Sequence, residues 1–370
     1  MRTPTGALSL RLGAPPAAAA VRGGHAVAYW LFACCGMIFV MVVLGGITRL
    51  TESGLSITDW QPVIGIVPPL SHPEWLAEFD RYKLIPQYRV LNAGMSLADF
   101  QYIFMWEYVH RLWGRLIGVA YFVPLVWLIA RRHVPRRLVL PLCGIFLLGA
   151  AQGLLGWYMV KSGLVHRIEV SQYRLVAHLA LALAIYAATL WVALGLRWPR
   201  ADGQAARYWR RLGEGLIALV ALTICAGGFT AGLHAGLIDN TFPLMDRHFL
   251  PAGYARLQPF VRNWFENIVA VQFDHRLLAE TTLTAVVALW IAGARAALPR
   301  PARLAQHALL AAVLLQFSLG VSTLLLVVPI PLAVCHQAGA VILLSAAILF
   351  RHTVRRPRPR QLDLAGTAAI

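Results

Sequence analysis

Eight long apolar stretches constrain the fold of this chain more than any other feature of its sequence. They lie at about residues 27–48, 100–130, 137–159, 173–196, 213–234, 264–294, 305–328 and 332–351 of the 370. Each reaches the roughly 20 residues that an α-helix needs to cross the hydrocarbon core of a bilayer. The composition agrees, because 59% hydrophobic and 13% charged residues lie outside the range of soluble domains. The sequence therefore predicts an all-α polytopic membrane protein with eight transmembrane helices.

The basic residues predict the orientation of these helices. Twenty Lys and Arg residues lie in the tails and connectors at 1–25, 131–137, 197–211, 295–303 and 351–360. The longer connectors on the opposite side, at 50–98, 160–171 and 235–262, hold only eight. Because Lys and Arg collect in cytoplasmic loops, both termini are predicted to be cytoplasmic. The net charge of +17 is then a topology signal, and no nucleic-acid partner is expected.

The first outer connector, residues 50–98, is too long for a simple turn. Ser71 and Glu74 have the spacing of a capping box, which predicts a helix beginning near residue 72, at the membrane interface. Residues 1–25 are interpreted as a short tail, with a transit peptide as the alternative. All five cysteines lie in apolar stretches without metal-ligand spacing, so neither a disulfide nor a cysteine–metal centre is expected.

The chain contains an internal repeat. Four segments of the first half match four of the second: Gly45–Thr48 with Gly227–Thr230, His110-Arg111 with His275-Arg276, Gln152–Gly156 with Gln316–Gly320, and His178 with His336. With four spans per unit, both units cross the membrane in the same direction. We expect two four-helix bundles at 26–196 and 213–351, a cytoplasmic linker at 197–212, and tails at 1–25 and 352–370.

Four of the twelve histidines occupy matched positions of this repeat, near the outer ends of the even-numbered spans. They are His110 and His178 in the first half and His275 and His336 in the second. A lone histidine in a membrane more often makes a helix–helix hydrogen bond, but two matched pairs favour metal ligation. Zinc or copper would need a third or fourth donor, and none repeats in both halves. The pattern therefore predicts one haem iron with two histidine ligands in each half.

Glu107 distinguishes the two halves, because the matching position in the second half is Gln272. Glu107 lies three residues before His110, so the two side chains are neighbours on one helix face. Two interpretations stay open: a structural ion pair with Arg111 or Arg115, and a proton acceptor beside the first haem. The second interpretation assigns chemistry to the first half and electron relay to the second.

Arginines near the outer ends of the spans are candidates for contacts with the haem propionates. Arg49, Arg111 and Arg276 are the three that we single out, and the repeat places the last two at matched positions.

The chain resembles the haem A synthases, membrane enzymes that oxidise a methyl group of haem O to the formyl group of haem A. The resemblance covers about residues 26–351 and is carried by Gly45–Trp60, with its run Thr-Arg-Leu-Thr-Glu-Ser-Gly-Leu-Ser, by Glu107–Arg111, and by His178, His275-Arg276 and His336. It implies that His110 and His178 ligate the substrate haem, that His275 and His336 ligate a haem b cofactor, and that Glu107 is the catalytic residue. It also implies successive hydroxylations with oxygen taken from water.

Residues 50–98 lack the cysteine pair that some members of this family carry in the first outer loop. The chain therefore resembles the subtype of many Gram-negative bacteria and mitochondria, which excludes thiol-based electron entry. The expected location is the bacterial inner membrane, with the mitochondrial inner membrane as the alternative. Haem O synthase is the expected donor of haem O; the electron acceptor and assembly into a homo-oligomer stay open.

Two other functions compete with this expectation. A di-haem electron carrier, such as a quinol-oxidising cytochrome b subunit, accounts for the four histidines but gives no role to Glu107 or to residues 45–60. A transporter would place its polar groups at the bilayer midplane between repeats, whereas these histidines lie near one surface.

Overall fold

The computed structural model describes residues 16–59, 65–166, 168–201, 207–296, 298–354 and 356–357. Its helices are α1 (Pro16–Leu50), α2 (His72–Tyr82), α3 (Pro86–Val90), α4 (Leu97–Ala130), α5 (Arg136–His166), α6 (Gln172–Arg197), α7 (Arg207–Gly232), α8 (Asn263–Glu266), α9 (Ile268–Ala294), α10 (Arg300–Leu325) and α11 (Ile330–Thr353). Two 3₁₀ turns (Ala235–Leu237 and Phe260–Arg262) and an antiparallel pair of two-residue strands, β1 (Arg200–Ala201) and β2 (Arg356–Pro357), complete it.

Eight of these helices, within the described ranges, are long and apolar enough to cross a membrane. They are α1, α4, α5, α6, α7, α9, α10 and α11, one for each predicted stretch. Helix α1 begins at Pro16, eleven residues before the predicted start and inside the predicted tail 1–25, and the other ends differ by up to seven residues. Their outward faces expose large apolar side chains, such as Val119 (60%), Leu140 (81%) and Leu147 (66%). Such surfaces are stable only against lipid or another apolar partner. The prediction of an all-α polytopic membrane protein is confirmed.

The predicted sixth span differs at its start. It was expected to begin near residue 264, but the short helix α8 occupies Asn263–Glu266 and α9 begins at Ile268. Asn267 separates them, because its backbone is extended (φ −89°, ψ 111°) and its side chain accepts hydrogen bonds from the Val269 and Ala270 amides. This is an ordinary N-cap, which ends one helix geometry and starts another.

The helix predicted near residue 72 is confirmed as α2. The Ser71 side chain accepts from the Glu74 amide, and the Glu74 carboxylate accepts from the Ser71 amide, as a capping box requires. Phe79 and Tyr82 of α2 are buried against Phe100 at the start of α4. The first connector is therefore packed onto the end of α4.

The long helices form two closed rings of neighbours. In the first ring, α1 and α5 each contact α4 and α6; in the second, α7 and α10 each contact α9 and α11. The rings meet where α6 contacts α7 and α11, and where α1 contacts α11. One continuous apolar core extends across this junction.

Small residues and amide hydrogen bonds hold the junction close. Gln337 on α11 donates to the Val42 carbonyl of α1 at 2.7 Å, and its amide occupies the space that a side chain at Gly46 would need. Tyr186 of α6 and Ser345 of α11 are hydrogen bonded at 2.8 Å. Close helix packing of this kind stabilises helix association in lipid, where hydrophobic exclusion from water is absent.

Candidate functional site

The four matched histidines lie on matched helices of the two rings. His110 is on α4 and His178 on α6, while His275 is on α9 and His336 on α11. His110 interacts electrostatically with His178, and His275 with His336. Each ring of helices therefore brings together its own pair of imidazoles, as the repeat predicted.

The geometry of His275 and His336 suits two ligands of one metal ion. Their ring centroids are 6.3 Å apart and their planes cross at 80°. A metal bound about 2 Å from one nitrogen of each imidazole would separate the centroids by about 6 Å. His275 Nδ1 lies 3.2 Å from the Thr223 carbonyl; a carbonyl only accepts, so Nδ1 carries the proton and Nε2 carries the free lone pair. These residues fit a haem iron held from both faces.

A glycine lies against each of the four imidazoles. In the first half, an added Cβ at Gly45 would come within 3.4 Å of His110, and one at Gly156 within 2.9 Å of His178. In the second half, an added Cβ at Gly227 would come within 2.9 Å of His275, and one at Gly320 within 2.8 Å of His336. Distances near 2.9 Å exclude any larger side chain unless the ring moves. The same arrangement in both halves leaves room for flat ligands beside the rings, and it fits the haem prediction.

Glu107 is buried, with 2% of its surface exposed, and both of its oxygens are hydrogen bonded. Oε1 accepts from the Arg111 guanidinium, whose Nε lies 3.0 Å away. Oε2 accepts from Ser56 Oγ and from the Ile57 amide, each at 2.8 Å. A carboxylate in a membrane is costly unless it is paired and hydrogen bonded, and this one is both. The structure therefore contains the ion pair with Arg111, while Arg115 donates to the Gly65 carbonyl at 2.8 Å.

The matching position in the second half is neutral and differently bonded. Gln272 is also 2% exposed, and its Nε2 donates to the Ile238 carbonyl at 2.6 Å. Its Oε1 and the Nε of Arg276 are buried without a hydrogen-bonding partner among the described residues. The second half thus keeps the arginine but has neither the carboxylate nor the ion pair.

Arg111 and Arg276 anchor matched loops. Arg111 donates to the carbonyls of Ile57 and Asp59, at 2.9 and 3.4 Å. Arg276 donates to the carbonyls of Asp239 and Thr241, which stand at the same distance along the chain from the matched Gly-Gly-x-Thr segments. Each guanidinium therefore holds two carbonyls of the loop that follows the first helix of its half. A propionate contact stays a prediction for both.

Arg49 connects the two halves on the outer side. Its Nη2 donates to the Ala231 carbonyl at 2.8 Å and lies 2.7 Å from His234 Nε2. Glu169 Oε2 is 3.8 Å from the same guanidinium nitrogen and 2.8 Å from His234 Nε2. With Glu52, the Glu169 and His234 side chains have atom spacing that could hold a metal ion, but the guanidinium on the histidine nitrogen opposes a second cation there. Propionate binding by Arg49 also stays a prediction.

A cavity of about 390 Å³ lies beside Arg111, between α4 and the first connector. Phe104, Tyr108, Arg111 and Arg115 of α4 line one side, and Ile57 lines the other. The cavity provides space for water next to the Glu107–Arg111 pair.

Sequence reasoning missed several partners of these groups. Ser56 ends the Thr-Arg-Leu-Thr-Glu-Ser-Gly-Leu-Ser run, but its contact with Glu107 and that of the Thr223 carbonyl with His275 depend on tertiary packing. His234 lies near the end of a predicted span, a position that gives no signal of its role in the cluster between the halves. Gln152 and Gln316 were recognised as repeat-matched without a role, although each contacts the histidine on the next helix.

These features define a class: polytopic all-α membrane proteins with a half-buried histidine pair in each of two four-helix rings. The family model described as COX15-CtaA, cytochrome oxidase assembly protein, matches residues 28–348. The chain belongs to this family, as the motifs predicted.

Two relatives show how far the similarity extends. The heme A synthase of Nitrosospira multiformis is 53% identical over 333 residues, which cover 89% of this chain and 94% of the relative. The mouse (Mus musculus) protein named heme A synthase COX15 is 45% identical over 344 residues, which cover 90% of this chain and 83% of the relative. The similarity therefore includes both halves.

Proposed function

We propose that this protein is a haem A synthase, which oxidises a ring methyl group of haem O to the formyl group of haem A. The observation that carries the proposal is the asymmetry of two matched histidine pairs: only the first has a buried carboxylate, Glu107, three residues from one of its histidines. The relatives that share most of the chain carry this name.

In this proposal, His110 and His178 hold the substrate haem O from its two faces. Two imidazole ligands would leave the iron no open position for oxygen, which fits oxidation of the methyl group with oxygen taken from water. Glu107 then receives protons released from that carbon, because an ionised carboxylate is a hydrogen-bond acceptor. Arg111, Ser56 and the Ile57 amide keep the carboxylate in place.

His275 and His336 would hold a resident haem b. When bound, that group supplies one-electron transfer between the first site and an external acceptor. The chain would contribute the two ligands, with Gln272 in place of a carboxylate at the position that matches Glu107.

The domain division proposed with this function is a catalytic unit at 26–196 and a cofactor unit at 213–351, joined by 197–212, with tails at 1–25 and 352–370. The two closed rings of helices support it. The inner membrane of a bacterium is the proposed location, with haem O synthase as the supplier of substrate. The similarity to both bacterial and mammalian relatives is compatible with this.

Identification of the bound haems tests the function. We expect haem B together with haem O or haem A in extracts of the purified protein, separated by chromatography, and loss of haem A from cells in which the gene is deleted. Haem B alone, with haem A unchanged in the deletion strain, would instead support a di-haem electron carrier and refute the synthase.

A further inference from the structure

The two histidine pairs differ in the hydrogen-bonding partners of Nδ1, the ring nitrogen that would not bind the metal. In the second half, His275 Nδ1 donates to the Thr223 carbonyl at 3.2 Å, and His336 Nδ1 lies 3.1 Å from the side-chain amide of Gln316. In the first half, His178 Nδ1 is buried without a hydrogen-bonding partner. The His110 ring likewise makes no hydrogen bond within the described part of the chain.

This difference matters for any metal that the rings bind. A ligating histidine usually donates its other N–H to a fixed acceptor, which sets the ring orientation and makes the ligating nitrogen more basic. Removing such an acceptor typically weakens metal binding by about 10- to 100-fold. Both rings of the second pair have a partner for Nδ1, the Thr223 carbonyl for one and the backbone and side-chain amide of Gln316 for the other. Among the described residues, neither ring of the first pair has one.

Gln316 and Gln152 make the comparison sharp, because they are matched by the repeat. Each lies four residues before a glycine that packs beside the histidine of its own half: Gly320 beside His336, and Gly156 beside His178. The Nε2 of Gln152 donates to the backbone carbonyl of His178 at 2.9 Å. Gln152 makes no hydrogen bond to the His178 ring among the described residues. Gln316 directs its amide at the His336 ring itself. Its Nε2 is the nearer atom and its Oε1 is buried without a partner; a half-turn about Cγ–Cδ places Oε1 to accept Nδ1–H.

We propose that Gln316 is a positioning residue that retains the haem of the second half, and that the absence of an equivalent contact from Gln152 leaves the haem of the first half exchangeable. The inference rests on the proposed function, in which one haem stays and the other enters as substrate and leaves as product. The difference between a retained and an exchangeable haem then depends on the hydrogen bonds at Nδ1 of the ligating histidines, and not on Glu107.

Haem transfer to apomyoglobin, followed by absorbance, tests the proposal in the full-length protein in nanodiscs. In a His110→Ala background, which isolates the second site, Gln316→Leu is expected to release haem about 10- to 100-fold faster than the parent. The matched control Gln152→Leu, in the same background, is expected to leave this rate unchanged. In a His336→Ala background, Gln152→Leu is expected to leave release from the first site unchanged too.

A second readout separates positioning from packing. Leucine at 316 removes the side-chain partner of His336 Nδ1 and leaves only the backbone of residue 316. We expect a higher midpoint potential of the second haem, since a less basic imidazole stabilises ferric iron less. Gln316→Glu restores an acceptor and is expected to restore slow release and lower the potential below the parent value. Equal release from Gln316→Leu and its parent would overturn the inference, and so would failure of Gln316→Glu to restore slow release. If instead the His110→Ala parent binds no haem, the proposed function itself fails.

Discussion

At the scale of single residues, Glu107 carries the asymmetry between the halves. Its carboxylate is fixed by three groups, Arg111, Ser56 and the Ile57 amide. These contacts reconcile the two interpretations that the sequence left open. The ion pair exists, and it is compatible with the proposed role of Glu107 as a proton acceptor, since a carboxylate has about four lone-pair sites.

The substitution Glu107→Gln separates charge from shape. The amide oxygen can still accept from Ser56 and the Ile57 amide, but the proton acceptor and the ion pair are lost. We expect conversion of haem O to haem A to fall by about 10²- to 10⁴-fold, the usual contribution of a general base, while the absorbance of both haems persists. Haem A formation in a complemented deletion strain measures this. A normal haem A yield would remove Glu107 from the chemistry.

The glycines at the histidine rings also act as single residues. Gly227→Val would place its Cβ 2.9 Å from His275 Cε1, so the ring must move, and we expect loss of the second haem in the purified protein. Gly215→Val lies on the same helix α7 with nothing within 4 Å of the added Cβ, and it serves as the control. Equal haem content, by pyridine haemochrome spectra, in the two variants would contradict a tight ring contact.

At the scale of elements, the short helix α2 depends on its capping box. Hydrogen bonds from the Leu70 and Ser71 amides lower the pKa of the Glu74 carboxyl from its ordinary value of 4.5. Because the folded pKa is the lower one, this stabilisation is fully present above pH 4.5 and is lost as the pH falls through the folded pKa.

The expected result is faster amide hydrogen exchange at the start of α2 as the pH falls below 4.5, after correction for the intrinsic rate. Mass spectrometry of the peptide over residues 70–78 measures it. Glu74→Gln removes the titrating group and should give exchange without this pH step. A step that persists in Glu74→Gln would assign the effect to another residue.

How far the elements followed from the sequence depends on the kind of signal. The eight spans were predictable because each needs about 20 apolar residues, and α2 was predictable because Ser71 and Glu74 form a local capping box. The break at Asn267 was missed, since an asparagine cap inside an otherwise apolar run gives a weak local signal. Histidine pairing followed from the repeat, whereas the contacts of Ser56, Thr223 and His234 required knowledge of which helices meet.

At the scale of the whole molecule, the two halves are joined by helix contacts in the membrane and by the Arg49 cluster on the outer side. Arg49 bonds to the Ala231 carbonyl and His234 of the second half, and to Glu169 of the first. The side chains of this pair are 19% and 30% exposed, so solvent screens part of the ion-pair energy.

Arg49→Gln removes the charge that balances Glu169 and one donor to the second half. We expect the apparent Tm to fall by about 2–4 °C, the shift that about 1 kcal/mol produces in domains of 150–250 residues. Arg303→Gln is the control, because Arg303 is exposed in the first turn of α10 and belongs to none of the contacts of the Arg49 cluster. A scanning fluorimetry series in detergent measures both. An equal Tm for Arg49→Gln and the parent would remove this cluster from the stability of the junction.

The hydrogen bond from the Gln337 side-chain amide to the Val42 carbonyl bears on electron transfer between the two halves. Gln337 follows His336 directly in the chain, and Gly45, one turn beyond Val42, lies beside the His110 ring, which an added Cβ at Gly45 would meet at 3.4 Å. A proposed ligand of one haem is thus linked to a proposed ligand of the other through one short backbone path, a single hydrogen bond and the close approach of Gly45 to the His110 ring. In the proposed enzyme, tunnelling between the two irons would depend on the spacing of α1 and α11, deep in protein, and would be insensitive to the loops and to the solvent.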